Sequence, residues 1–167
     1  MRTDRGFTIV ELIVVLTIIT ILTALAALNW NRMVMKSAVE GQIKTVHADM
    51  MAVRLEALYR KTPRSVVVSG ENFSIYSSAA TTGTPVSSKT FKYNFFPASA
   101  TTITFDSSGM TNGTQVTICV NAYNEAVLFN TTDAYVDSLV ISQARLNMAK
   151  RPEGGHCDAT TSGVTQR

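Results

Sequence analysis

The chain has 167 residues and carries 15 lysines and arginines against 12 aspartates and glutamates, which gives a net charge of +3. This length leaves room for one long helix and one domain of ~100–150 residues. So small a charge identifies no partner by itself. With two histidines, no Gly-x-Ser-x-Gly elbow and no phosphate-binding glycine loop, we expect no enzyme and no cofactor.

The N-terminus is the most informative segment, because a short charged leader precedes a long apolar run that starts at Phe7. An apolar run of ~20 residues is long enough to cross a bilayer as a helix. Residues 7–28 are therefore predicted to span a membrane. Glu11 lies inside this run, where a carboxylate is costly, so it is a candidate functional residue.

Three interpretations of this segment are open. A secretory signal peptide would use Arg2 and Arg5 as its basic region and would be cut after Ala26. Both Glu11 and the length of the apolar run argue against that interpretation. A plain membrane anchor explains the length but leaves Glu11 unexplained. The third interpretation is a leader of another kind, and it depends on the residues around Gly6.

The nine residues from Arg5 to Ile13, RGFTIVELI, resemble the processing signature of type IV prepilins and type II secretion pseudopilins. The resemblance implies that a dedicated peptidase cuts between Gly6 and Phe7 and N-methylates the new terminal amine of Phe7. It also implies that Glu11 lies near the terminal amine of a neighbouring subunit and sets the register of a filament. The alternative is that Glu11 faces a pore or lipid headgroups.

The same resemblance implies partners and a location. The partners are other pilin or pseudopilin subunits, the prepilin peptidase, an inner-membrane assembly platform and, before assembly, membrane lipid. The protein is expected to be a single-pass protein of the bacterial inner membrane with a periplasmic domain, and then part of a filament. Many major pilins carry a proline at the position that Leu28 occupies here, which favours a minor subunit.

A helical repeat continues after the apolar run, because apolar residues recur at steps of three and four. This stripe predicts the face that packs on the globular domain, and a coiled-coil partner is the alternative. Thr62-Pro63 is predicted to end the helix. The stripe consists of Val39, Ile43, Val46, Met50, Val53 and Ala57.

After Pro63, short apolar runs separated by turns predict β-strands. The expected divisions are a cleaved leader over residues 1–6, one long helix over residues 7–62, and a β-rich periplasmic domain over residues 63–167. The fold class is therefore α+β, with a long N-terminal helix packed on an antiparallel sheet or on two sheets. A long loop is expected over residues 77–90. The predicted strands are Ser65–Ser69, Phe73–Tyr76, Phe91–Phe96, Ile103–Phe105, Gln115–Val120, Ala126–Asn130 and Ser138–Leu146.

The globular part resembles the GspH/FimT-type minor pilins. The resemblance rests on the order of Thr104–Gly109, Gln115–Val120 and Leu139–Arg145, and on a helical segment that leads directly into the first strand. It implies a long helix packed on two antiparallel sheets. It also implies a low-copy subunit at or near a filament tip.

Cys119 and Cys157 are the only cysteines, and they can pair if the domain lies in the periplasm. Such a disulfide would contribute roughly 3–4 kcal/mol in the chain-entropy model. The alternative is two free thiols. A metal site is not expected, because the chain has no Cys-x-x-Cys and His156 lacks further ligands at usable spacing.

One branch of the GspH/FimT group binds DNA for uptake through a basic tail with a Gly-Arg-x-Arg motif. The matching residues here read ARLN, so Arg145 is the one arginine retained, and Lys150 and Arg151 follow. Three cations on an exposed tail would bind a few phosphates weakly and with strong salt dependence. A solvated tail is the favoured interpretation. We therefore expect a structural minor pilin or pseudopilin, with DNA uptake as the alternative function.

Overall fold

The computed structural model describes residues 7–96, 99–113, 115–120, 136–151, 157 and 165–166. One long helix, α1, is followed by short antiparallel strands, which confirms the predicted α+β class. The helix spans Ile9–Arg60. The strands are β1 (Arg64–Ser69), β2 (Asn72–Tyr76), β3 (Ser87–Thr90), β4 (Phe95–Phe96), β5 (Thr101–Phe105), β6 (Val116–Val120), β7 (Ser138–Ile141), β8 (Leu146–Lys150) and β9 (Thr165–Gln166).

The chain divides into two units, of which the first ends at Met35 and the second begins at Lys36. The described part of the first unit consists almost entirely of the first half of α1.

Sequence analysis predicts a membrane span over residues 7–28. In the described part of the chain, however, the helical segments do not combine the length and the apolar character that a membrane crossing requires.

Two antiparallel sheets dominate the second unit. The first sheet has the strand order β3-β2-β1-β5, and the second has the order β4-β6-β7-β8-β9. In the first sheet, Val67 of β1 pairs with Ser74 on one side and with Thr102 on the other. A long helix with two antiparallel sheets is the arrangement that the resemblance to minor pilins implied.

The apolar stripe of α1 faces the core of the second unit, as the sequence predicts. All six stripe residues, from Val39 to Ala57, are buried. They belong to one core cluster with apolar side chains from both sheets, such as Phe73 and Leu139. Burial of one large apolar side chain contributes ~1.5–3 kcal/mol, so this cluster fixes the second half of α1 to the sheets.

The helix ends slightly earlier than the sequence predicts. Its last residue is Arg60, and Lys61 adopts a positive φ of 55°. A residue in this left-handed conformation is a common way to end a helix, because it allows the last carbonyls to find partners. Pro63 then keeps the following chain out of the helical conformation.

The predicted strand Phe91–Phe96 forms only at its end, since β4 covers Phe95–Phe96 alone. A side chain of α1 explains the difference. The amide of Gln42 donates to the Tyr93 carbonyl oxygen at 2.7 Å and accepts from the Tyr93 backbone N–H at 3.2 Å. These backbone groups are therefore satisfied by a helix side chain instead of by a neighbouring strand.

Two further predicted elements differ from the structure. The loop expected over residues 77–90 ends in β3, an exposed polar strand that pairs with β2. The single strand expected over Ser138–Leu146 is a hairpin, in which the Ser142 N–H donates to the Arg145 carbonyl oxygen at 2.8 Å and closes the turn. The predicted strand Ala126–Asn130 lies outside the described residues.

Asp106 organises the turn that follows β5. Its carboxylate accepts hydrogen bonds from the Ser108 backbone N–H (2.7 Å), the Ser108 hydroxyl (2.6 Å) and the Met110 backbone N–H (3.0 Å). The Ser108 hydroxyl and then the Met110 N–H lower the pKa of Asp106 below its ordinary value. Because the folded-state pKa is the lower one, this stabilisation is present above the unfolded-state pKa and is lost as the pH falls through the folded-state pKa.

Gly109 in the same turn allows the turn to lie directly on α1. Its φ is 71°, and a Cβ atom placed there would lie 2.7 Å from Leu58 Cγ. Both the left-handed backbone and the close approach require glycine at this position. Within the motif that resembled minor pilins, Thr104–Gly109, the turn at Gly109 thus packs against Leu58 near the end of α1.

Candidate assembly site

Thr8 defines the start of α1 and places Glu11 in its first turn. The Glu11 backbone N–H donates to the Thr8 hydroxyl oxygen, and the Leu12 N–H donates to the Thr8 carbonyl oxygen, both at 3.2 Å. Thr8 is therefore the N-cap residue. A Thr-x-x-Glu sequence is a common signature of a helix start, and sequence analysis did not use it. An acidic side chain is favourable there because of the helix dipole.

The first half of α1 exposes a large apolar surface. Phe7 and Ile9 are 80% and 81% exposed, and the large apolar side chains that follow as far as Leu22 are about half exposed or more. Soluble monomers rarely expose contiguous apolar patches larger than a few hundred Å². A surface that is apolar all round a helix indicates burial against other apolar groups.

The threonines within this segment are satisfied by the helix itself. The Thr17 hydroxyl donates to the Val14 carbonyl oxygen at 2.7 Å, and the Thr23 hydroxyl donates to the Ile19 carbonyl oxygen at 2.9 Å. The Thr20 hydroxyl bonds to the helix backbone in the same way. A helix with its hydroxyl groups satisfied internally can enter an apolar environment without leaving unpaired donors.

In contrast to these threonine hydroxyls, the Glu11 carboxylate is not satisfied by the helix. It is exposed, and no described residue donates a hydrogen bond to it or forms an ion pair with it. Burial of the surrounding apolar surface would therefore leave one carboxylate that needs a cationic partner from outside this part of the chain. Phe7 lies four residues earlier, and Gly6 lies outside the described residues.

The three cations considered for DNA binding have different environments. Arg145 is exposed in the β7–β8 turn, and Lys150 is half-buried in β8. Arg151 is only 5% exposed, and its Nε atom lies 3.1 Å from Asp137 Oδ2 in an ion pair. The expectation of three cations on an exposed tail is therefore wrong for Arg151, because its charge is already compensated inside the domain.

Asp137, which sequence analysis missed, joins three strands. Its fully buried carboxylate accepts hydrogen bonds from the Ser138 hydroxyl (2.7 Å), the Arg151 backbone N–H (3.0 Å) and the Arg151 Nε–H (3.1 Å). The Arg151 Nη2 group also donates to the Val120 carbonyl oxygen at 3.1 Å. Asp137 and Arg151 thus connect β6, β7 and the end of β8.

Cys119 and Cys157 form a disulfide with an S–S distance of 2.00 Å. Cys119 lies in β6, one residue before Val120. The disulfide and the hydrogen bond from Arg151 Nη2 to the Val120 carbonyl oxygen therefore both attach the chain after β8 to β6. Among the described residues, no group of three or more histidine, cysteine, aspartate or glutamate side chains could hold a metal ion.

Comparisons with known proteins extend this description. Residues 1–27 match the family model described as the prokaryotic N-terminal methylation motif. No curated protein matches the chain. Two crystal structures of the type IV minor pilin FimU of Pseudomonas aeruginosa (strain PAO1) have a similar fold.

Both FimU structures are 18% identical in sequence to this chain. One covers 67% of this chain and 90% of its own chain with a TM-score of 0.47. The other covers 71% of this chain and 90% of its own chain with a TM-score of 0.50. At this identity the similarity concerns the fold alone.

Proposed function

We propose that this type IV pilin-like protein is a structural minor subunit of a type IV pilus or a type II secretion pseudopilus. The observation that carries the proposal is the Glu11 carboxylate. It has no partner among the described residues and lies in a helical segment whose apolar side chains are exposed. This segment is part of the match to the N-terminal methylation motif. In a filament, neighbouring helices bury its apolar surface.

The charge that Glu11 meets in this proposal is the terminal amine of a neighbouring subunit. A cut between Gly6 and Phe7 creates a positive amine just before α1 begins. A positive charge is unfavourable at the N-terminal end of a helix, and it is costly in an apolar interior unless an opposite charge lies nearby. Pairing of this amine with the Glu11 carboxylate compensates the charge of each group. A subunit displaced along the filament would lose the pair, so the pair selects one register.

The location follows from the same proposal. The chain is held at the inner membrane before assembly, with the second unit in the periplasm, and then enters a filament. The support for the membrane stage is the methylation motif over residues 1–27. The Cys119–Cys157 disulfide is consistent with the periplasm, since disulfides persist in oxidising compartments.

The proposal names a minor subunit because of two supporting observations. The fold is similar to that of a minor pilin, FimU. Leu28 also stands where many major pilins carry a proline. DNA binding is not proposed as a second function, because the burial of Arg151 removes one of the three cations on which it depended.

Gly6→Leu tests the processing step. We expect this variant to keep residues 1–6, because the resemblance to prepilins places a small residue directly before the cut. The intact mass of the protein in cell extracts would show the uncut chain. Thr3→Leu introduces the same side chain elsewhere in the leader and should be processed normally. A product of mature size from Gly6→Leu would instead point to a cut at another position, such as after Ala26.

A further inference from the structure

A cavity of about 220 Å³ lies beside β5, the last strand of the first sheet. Three consecutive residues of β5, Thr102, Ile103 and Thr104, line it. Consecutive side chains of a strand point to opposite faces of a sheet. Ile103 belongs to the core cluster, whereas the Thr104 hydroxyl hydrogen-bonds to the Ser65 hydroxyl at 2.9 Å. One cavity can contact all three residues only along the edge of the strand.

This edge of β5 has little pairing in the described structure. β1 pairs with the other edge of β5 over its full length. On the cavity side, the one pairing among the described residues is an isolated bridge between Phe105 and Thr111. The backbone N–H and C=O groups at such an edge can pair with another extended chain.

The two outer strands of the first sheet differ in charge. β3, at the far edge, carries Lys89, whose Nζ atom lies 2.7 Å from Asp49 Oδ2. Charged side chains on an edge strand discourage pairing with another chain. β5 has the sequence TTITF and carries no charge. Among the described residues, the first sheet therefore carries a charge at its β3 edge, whereas its β5 edge has no strand paired along it.

The lining of the cavity indicates what would enter it. Ile103, Val116 and Ile141 supply apolar surface, while Thr111 and Asn112 supply polar groups. The described lining contains no charged side chain. A charge that entered would lose its hydration without gaining a partner, which is costly. The cavity therefore fits an uncharged side chain of a chain that lies along β5.

We propose that the edge of β5 binds an extended, uncharged segment of a different pilin-like subunit next to this one in the filament. The segment pairs with β5 through backbone hydrogen bonds and places one uncharged side chain in the cavity, a mode of recognition known as β-augmentation. The identity of the partner rests on the proposed function, because a low-copy subunit in a filament is surrounded by other subunits. The strand edge and the cavity supply the recognition.

Gly113→Trp tests this contact in cells that make the filament. Gly113 lines the cavity, its φ is not positive, and a Cβ atom there would meet no atom within 4 Å apart from those of its chain neighbours. Tryptophan should therefore occupy the cavity without disturbing the fold. A photo-crosslinking amino acid at position 102 reports the contact. We expect it to crosslink to an extended segment of another pilin subunit, and we expect Gly113→Trp to reduce that product about tenfold, which corresponds to ~1.4 kcal/mol.

Thr90 provides the matched control, because it is an exposed threonine of β3 at the opposite edge of the same sheet. A crosslinker at position 90 should give no such product, and Thr90→Trp should leave the position-102 product unchanged. Equal products from both positions, or a product that Gly113→Trp does not reduce, would overturn the proposal. So would a crosslink to a second copy of this chain or to a protein that is not a filament subunit.

The amount of this protein in sheared filaments separates this proposal from the proposed function. If the protein is present in filaments and position 102 crosslinks elsewhere, the β5 contact is wrong and the structural role stands. If the protein is absent from filaments altogether, the proposed function fails, and the β5 contact with a filament neighbour fails with it.

Discussion

Glu11→Ala should leave the cut between Gly6 and Phe7 intact but lower incorporation into filaments at least tenfold. The reason is the unpaired amine of the neighbouring subunit, which would be buried without its carboxylate. Removal of one partner from a buried ion pair costs ~3–5 kcal/mol, and ~1.4 kcal/mol already corresponds to a tenfold change. The measurement is the ratio of this protein in sheared filaments to that in the membrane fraction, obtained by quantitative immunoblotting.

Two control variants separate charge from shape and from general disturbance of the helix. Glu11→Gln keeps the shape of the side chain and removes its charge, so it should fail nearly as severely as Glu11→Ala. Thr17→Val removes a hydroxyl that is already bonded to the Val14 carbonyl oxygen, and it should assemble normally. Normal incorporation of either Glu11 variant would defeat the register argument.

Asp137→Ala should lower the free energy of unfolding by about 3–5 kcal/mol. The substitution leaves the Arg151 guanidinium buried without its counter-charge, and it removes acceptors from the Ser138 hydroxyl and the Arg151 backbone N–H. Unbonded buried polar groups are costly. Urea denaturation of the oxidised full chain in detergent, followed by circular dichroism, would measure the change.

Asp49→Ala is the matched control for this loss. It also breaks an aspartate ion pair, since Asp49 Oδ2 lies 2.7 Å from Lys89 Nζ, but that pair is partly exposed. Exposed pairs contribute ~0–1 kcal/mol, so the expected effect is small. Equal losses from the two variants would contradict the account of Asp137 and Arg151 as the connection between β6, β7 and β8.

Local patterns were enough to predict the helix and its buried face. The spacing from Val39 to Ala57 identifies the core side of α1, because a helix turns through a fixed angle at each residue. Several strands were predicted equally well, since β-branched and aromatic residues cluster in them. The hairpin of β7 and β8 was missed because its turn, Ser142 to Arg145, contains no Gly, Pro or Asn signal.

Two other failures share one physical cause, which is contact between residues far apart in the sequence. Gln42 replaces a strand partner for Tyr93 across 51 residues. Arg151 was expected on an exposed tail, but Asp137, 14 residues earlier, holds it inside the domain. No periodicity reports such pairs. Glu11 could be singled out from sequence because a carboxylate in an apolar run is conspicuous without any contact.

The N-terminal peptide of this protein, taken from sheared filaments of the producing strain and analysed by mass spectrometry, tests the central claim most directly. The account predicts a chain that begins at N-methylated Phe7 and retains the apolar segment with Glu11. A chain that begins after Ala26, or a protein found only outside the filament fraction, would contradict it.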